Sequence, residues 1–182
     1  MRSLKDEVMI NRLRLRNRIA LPPLTTNYGS PEGGVTDTVI KFYVERAKDV
    51  GLVIVEATAV QADGRIVPGT LGLWEDGQLD GMARLADEIK NQGAAAVVQI
   101  NHAGARCTPS GGELQGASPS GVAFSQDVVP LTMSEEQIVQ MTTDFSDAAG
   151  RAAQAGFSTR VTIFFRDSLS VLNVFTGASQ SG

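Results

Sequence analysis

Short apolar runs that end abruptly on polar residues set the rhythm of the chain: residues 19–24 (IALPPL), 52–55 (LVIV) and 94–98 (AAAVV). Each is too short to cross a membrane and has the length of a strand buried on both faces. Between them the period becomes helical. Val39, Phe42, Tyr43 and Ala47 share one face of a helix that Thr36 or Thr38 can cap and Gly51 stops. Met82, Leu85, Ala86 and Ile89 form a second stripe, ended by Gly93. Ser134 and Gln137 have capping-box spacing at the head of a long helix, whose buried face is Ile138, Met141, Phe145, Ala148 or Ala149, and Ala152. Gly156 closes it and Phe157 opens a fourth strand. Ahead of all these, residues 8–18 (VMINRLRLRNR) alternate like a small hairpin turning near Asn11 and Arg12. Arg12, Arg14, Arg16 and Arg18 then fall on its solvent face.

Alternating strands and helices imply a parallel sheet with right-handed crossovers. Thr25, Glu56 and Gln99 stand just past or at the ends of the three apolar runs, where α/β proteins assemble ligand sites. No G-x-G-x-x-G follows any strand, so a barrel is favoured over a dinucleotide-type open sheet. Residues 107–130 form a Gly/Ser/Pro-rich excursion, of the kind that covers a site or stays disordered.

Composition narrows the function classes. The 182 residues, 42% of them hydrophobic, suffice for one domain with a core. A net charge of −4 gives no general attraction to nucleic acid or an anionic membrane surface. Cys107 and His102 are the only residues of their kinds, which excludes an intrachain disulfide and argues against a metal centre. With no apolar run of membrane length and no leader after Met1, a cytoplasmic location is expected.

Strand parity puts Val97, Gln99 and Asn101 on one face of the third strand. A buried glutamine needs a partner with both donors and acceptors. Neighbouring backbone would serve, and so would a flat heterocycle with an O=C–N–H edge.

Three segments together, NRIALPPLTTNYG (17–29), LVIVEATAV (52–60) and VVQINHAGARC (97–107), resemble the Old Yellow Enzyme family of FMN-dependent ene reductases. The resemblance runs from about Val8 to Phe157. It implies a (β/α)8 TIM-barrel fold with FMN at the carboxyl face and NADH or NADPH as reductant. By position it assigns Pro22, Pro23, Leu24 and Thr25 to the flavin ring, with Thr25 near the C4 carbonyl and N5. Ala57 becomes the small residue that admits backbone close to the ring, and Gln99 the side chain on the pyrimidine edge. Asn101 and Tyr28 become candidates to meet the substrate, a small molecule with an activated alkene. His102 and Arg106 fall in an interrupted H-x-G-R-like signature and are expected to organise the loop. Glu56 is expected to pair with a nearby cation. No catalytic residue is assigned.

Past Phe157 the resemblance stops, and no histidine follows His102. The family's carbonyl-binding pair, proton-donating tyrosine and phosphate-binding strands have no counterpart. A complete barrel takes roughly 250 residues. The expected architecture is therefore about the first half of a barrel: the hairpin, three βα units and the start of a fourth strand over residues 1–157, with a divergent tail at 158–182. Two functional expectations follow. One is an FMN oxidoreductase by descent, inactive in isolation. The other is a non-catalytic truncated or frameshifted fragment, or a module that pairs with another half barrel through its open edges.

Overall fold

A computed structural model of the chain describes residues 3–107, 116–122, 129–164 and 173–175, the last two strands by their backbone alone. Strands β1 (Val8–Ile10) and β2 (Leu13–Leu15) form an antiparallel hairpin with Asn11 at φ 53°, in the left-handed region that asparagine tolerates. Next come β3 (Ala20–Leu21), α1 (Asp37–Ala47), β4 (Leu52–Ala59) and β5 (Leu71–Gly72). Helix α2 (Leu79–Asn91) leads to β6 (Ala95–His102). A parallel pair, β7 (Ala117–Ser118) with β8 (Leu131–Thr132), precedes α3 (Glu135–Gln154). The chain then enters β9 (Thr159–Phe164) and β10 (Asn173–Phe175).

Strands β3, β4, β6 and β9 lie side by side in parallel, and β10 closes the far edge antiparallel to β9. The helices pack on one face. Val53, Val55, Ala96, Val98 and Ile100 of the sheet meet Val39, Tyr43, Met82, Leu85, Ile89, Phe145 and Ala152 in one continuous core. That face follows directly from helical periodicity meeting strand parity.

Several local details depart from the sequence pattern. The first apolar run is a strand only at Ala20–Leu21, because the two prolines after it cannot extend a ladder. Strand β4 runs on to Ala59, since Thr58 and Ala59 are paired with Ile100 and Asn101 of β6 on one side and with Leu71 and Gly72 of β5 on the other. Arg16 is not on a solvent face. Its guanidinium donates to the carbonyls of Val50, Gln92, Ala47 and Lys48 at 3.0, 2.9, 2.7 and 2.5 Å, satisfying the carboxyl ends of α1 and α2 together. Ile138 is 38% exposed, and the buried stripe of α3 starts only with half-buried Met141 and Phe145. Val139 beside Ile138 is also exposed, at 66%. The Ser134–Gln137 capping box forms as expected, and Thr36 rather than Thr38 caps α1. A further capping box, Glu75 with Gln78, opens the turn before α2. Within the excursion, residues 108–115 and 123–128 lie outside the described residues, as do residues 165–172 and 176–182 of the tail.

Candidate functional site

The centre of the site is an irregularity between β4 and β6. Val55 pairs with Val98, but the next rung joins Ala57 to Gln99. Glu56 is the extra residue of a β-bulge and has no ladder partner. The slip decides which side chains face which way. Val53 and Val55 point into the helix-covered core, and strict alternation would send Ala57 after them. The bulge turns Ala57 to the opposite face, beside Gln99, with Ala59 and Asn101 paired two residues further on.

On this inner face the polar groups are poorly satisfied by protein. Asn101 is fully buried, and neither its Oδ1 nor its Nδ2 has a hydrogen-bond partner among the described residues. Gln99 is also buried, and no hydrogen bond of its amide is formed among them. A fully buried amide in the state of Asn101 is costly and marks a place for another donor–acceptor group, and Gln99, 7% exposed, turns its amide to the same face. Ala57 contributes only a methyl there.

The loop after β3 is held at the same end of the sheet. Pro22, Leu24 and Thr25 are exposed and Pro23 is half-buried. The Thr26 N–H donates to Glu56 Oε2 at 3.0 Å. Asn27, at φ 61°, accepts from Gly69 N at 2.8 Å through Oδ1, and Gly29 N donates to the Gly69 carbonyl at 3.0 Å. A Cβ at Gly69 would lie 2.6 Å from Asn27 Oδ1, so the approach requires glycine. Tyr28 rests edge-on against Phe42, ring centroids 6.2 Å apart, while its carbonyl accepts from Thr36 Oγ1.

Glu56 corrects the expectation of an ion pair. No cation meets its carboxylate among the described residues. Oε2 accepts from Thr26 N and from the Tyr43 hydroxyl at 3.3 Å, while Oε1 is buried without a partner. The Glu56 N–H, freed from the ladder by the bulge, donates to Tyr43 Oη at 2.7 Å. Burial raises the Glu56 carboxyl above the ordinary glutamate range. Burial, with the neighbouring Glu56 charge, also raises the Tyr43 phenol. Periodicity marked Tyr43 only as core; its hydroxyl escaped notice because helical spacing says nothing of a polar tip.

His102 sits on the other side of the strand end and organises the loops, as the motif suggested. Its Nδ1 accepts from Gly104 N at 3.0 Å, and the Gly64 carbonyl accepts from Ala103 N at 2.9 Å. A Cβ on Gly64 would strike the imidazole. Burial lowers the His102 pKa, against the opposing charges of Asp63 and Asp144. Arg106 is exposed on the following 3₁₀ turn. Cys107 is buried, its thiol pushed up to about 12 by burial first and Asp63 second. Arg65, which the sequence did not single out, is buried; it donates to the carbonyls of Ala62, Pro31 and Pro68 and lies over the Trp74 ring. It holds the β4–β5 loop against the loop after β3. Among the described residues, no cluster of three or more His, Cys, Asp or Glu could hold a metal, and no helix is long and apolar enough to cross a membrane.

The family description of NADH:flavin oxidoreductases / NADH oxidases matches residues 7–164. The chain belongs to that family. It is 38% identical over 162 residues to the NADPH dehydrogenase of Bacillus subtilis (strain 168), an overlap of 86% of this chain and 46% of the relative. With the NADH:acrylate oxidoreductase of Vibrio harveyi it shares 40% identity over 161 residues, 86% of this chain but 16% of that protein. Among solved structures, the Old Yellow Enzyme from Pichia sp. AKU4542 superposes with a TM-score of 0.79 at 25% identity, over 87% of this chain and 45% of that one. A 2-naphthoyl-CoA reductase shares the fold with a TM-score of 0.81 over 88% of this chain. The parallel sheet is thus part of a TIM-type barrel, and the chain spans about half the length of the NADPH dehydrogenase it matches.

Proposed function

We propose that this chain carries the flavin-holding strands of an FMN-dependent, NAD(P)H-consuming reductase of activated alkenes. The observation behind this reading is the Ala57–Gln99 rung: a bulge places a methyl beside a buried amide on the face that also holds the unpartnered amide of Asn101. That pair suits the pyrimidine edge of a flavin, which offers a carbonyl and an N–H to one amide. The unsatisfied amide of Asn101 lies two residues further along the same face. When bound, FMN supplies the transfer of hydride to the β-carbon of the alkene, after its own reduction by NADH or NADPH.

The chain's own residues then have positional tasks. Gln99 would hold the ring edge, and Ala57 would admit the β4 backbone close to the ring. Pro22, Pro23 and Leu24 would line it. Thr25 would hydrogen-bond near C4 and N5, tuning the potential. Asn101 and Tyr28 would meet the alkene, a class in keeping with a relative that is an NADH:acrylate oxidoreductase. In this reading these residues hold the ring and meet the alkene, while binding the substrate carbonyl and supplying a proton fall to donors outside them. The loss of even one such donor typically costs on the order of a hundredfold to a thousandfold in rate.

The test is an FMN titration followed by flavin fluorescence. Gln99→Leu should weaken binding by about tenfold to a hundredfold, equivalent to about 1–3 kcal/mol, and Asn101→Ala by much less. Equal affinities for parent and both variants would refute the assignment of Gln99. A second reading, a half barrel that pairs with another, is favoured by the open sheet with β3 and β10 at its edges.

A further inference from the structure

We infer that Glu56 is a positioning residue, which fixes the height of the Pro22–Thr25 segment over the Ala57–Gln99 rung by holding the Thr26 amide. The inference rests on the flavin reading for its purpose and on geometry for its substance. Three elements converge on one side chain. Helix α1 contributes the Tyr43 hydroxyl, which takes the Glu56 N–H at 2.7 Å and turns its own proton toward Glu56 Oε2 at 3.3 Å. Strand β4 contributes the bulge, without which Glu56 would be a ladder residue. The loop after β3 contributes Thr26 N, 3.0 Å from the same oxygen.

No regular pairing does this job. Strand β3 meets β4 only at Ala20–Leu52 and Leu21–Val53, so the backbone from Pro22 onward has left the sheet. The two prolines lack N–H groups and cannot be tied down by the ladder. Thr26 is thus the first residue after β3 whose amide a β4 side chain holds. One charge-capable acceptor sets where Thr25 stands. A fully buried carboxylate whose neighbours are the Thr26 hydroxyl and amide and a phenol, with no cation among the described residues, is expensive as plain core. The same bulge that aims it also exposes Ala57 to the inner face, so the two features arise together.

The test is amide hydrogen exchange by NMR on the chain as it exists, without flavin. Glu56→Leu should speed exchange at Thr26 by about tenfold to a hundredfold beyond any change in α1 and β6. Glu56→Gln keeps an acceptor, and should restore most of the protection. Tyr43→Phe, which leaves the carboxyl in place, should speed the Glu56 and Thr26 amides selectively; it becomes the deciding variant should Glu56→Leu fail to fold. Unchanged Thr26 exchange, or a rise only in step with α1 and β6, would overturn the inference. FMN titration of the parent runs alongside. Failure of the parent to bind flavin counts against the flavin reading alone, while the exchange pattern judges Glu56.

Discussion

Two buried titratable side chains at the ends of β4 and β6 pull stability in opposite directions with pH. His102 is held neutral, with Nδ1 accepting from Gly104 and burial lowering its pKa. The unfolded chain protonates it near the ordinary value of about 6.5, whereas the folded chain resists until lower pH. Its contribution is therefore complete above that value and is lost as pH falls toward the folded pKa. Glu56 is the reverse: its raised pKa makes its contribution complete below the ordinary glutamate value of about 4.3, and that contribution fades as pH rises through the folded pKa. Denaturant midpoints measured from pH 4 to 8 separate the two. His102→Asn, which keeps an acceptor where Nδ1 stands, should flatten the fall in stability below pH 6.5. Glu56→Gln should remove the decline on the rising side; parallel profiles for parent and both variants would refute the assignment. The resemblance marked His102 as a loop organiser through its interrupted H-x-G-R-like signature, whereas the close approach of Gly64 to the imidazole appears only in the fold. The partner of Glu56 was not legible. A carboxylate in an apolar run calls for compensation, but nothing in the spacing says whether a cation or a phenol supplies it.

Elements were easier to read than their junctions. The three helices and the long strands follow from apolar periods, since core formation rewards one face only, and the Ser134–Gln137 box from its spacing, while the Glu75–Gln78 box went unread. The bulge at Glu56 does not follow, because one extra residue leaves composition unchanged and alters only phase. Arg16 is a similar case. Alternation in residues 13–18 suggested a solvated arginine row, yet Arg16 alone reaches four carbonyls belonging to or following α1 and α2. A planar fork can satisfy several acceptors at once, which an ammonium cannot. Gly93, at φ 85°, sits where a Cβ would lie 2.8 Å from Arg16 Nη1. Arg16→Ala should cost about 2–3 kcal/mol in urea unfolding, and Arg16→Lys should recover less than half of it. Arg14, paired with Glu7 in an exposed ion pair, is the control: Arg14→Ala should cost under about 1 kcal/mol. Comparable losses at the two arginines would show that the carbonyl contacts contribute nothing special.

At the scale of the molecule, the sheet ends where its strands run out of partners. Strand β3 pairs only with β4, through two residues, and presents its other edge unpaired among the described residues. Ile19, Met9 and Ile10, near it in sequence, are 40%, 57% and 46% exposed, and Leu24 is 55% exposed. Natural sheets blunt such edges with charge or cover them with another element. Here the far edge has β10 laid antiparallel along β9, whereas the β3 edge has no such cover among the described residues. A barrel would remove both edges by joining them. Sequence made the half-barrel count legible because each βα unit announces itself, but pairing at β10 depends on tail residues that match no motif. Association through the β3 edge is the expected outcome for the chain made alone. Ala20 is exposed at that edge, so Ala20→Lys places a charge there without entering the core. Sedimentation velocity across a concentration series should show the parent shifting to larger species and Ala20→Lys remaining nearer to monomer. A parent that stays monomeric throughout, or a lysine variant that associates equally, would rule out the β3 edge as the contact.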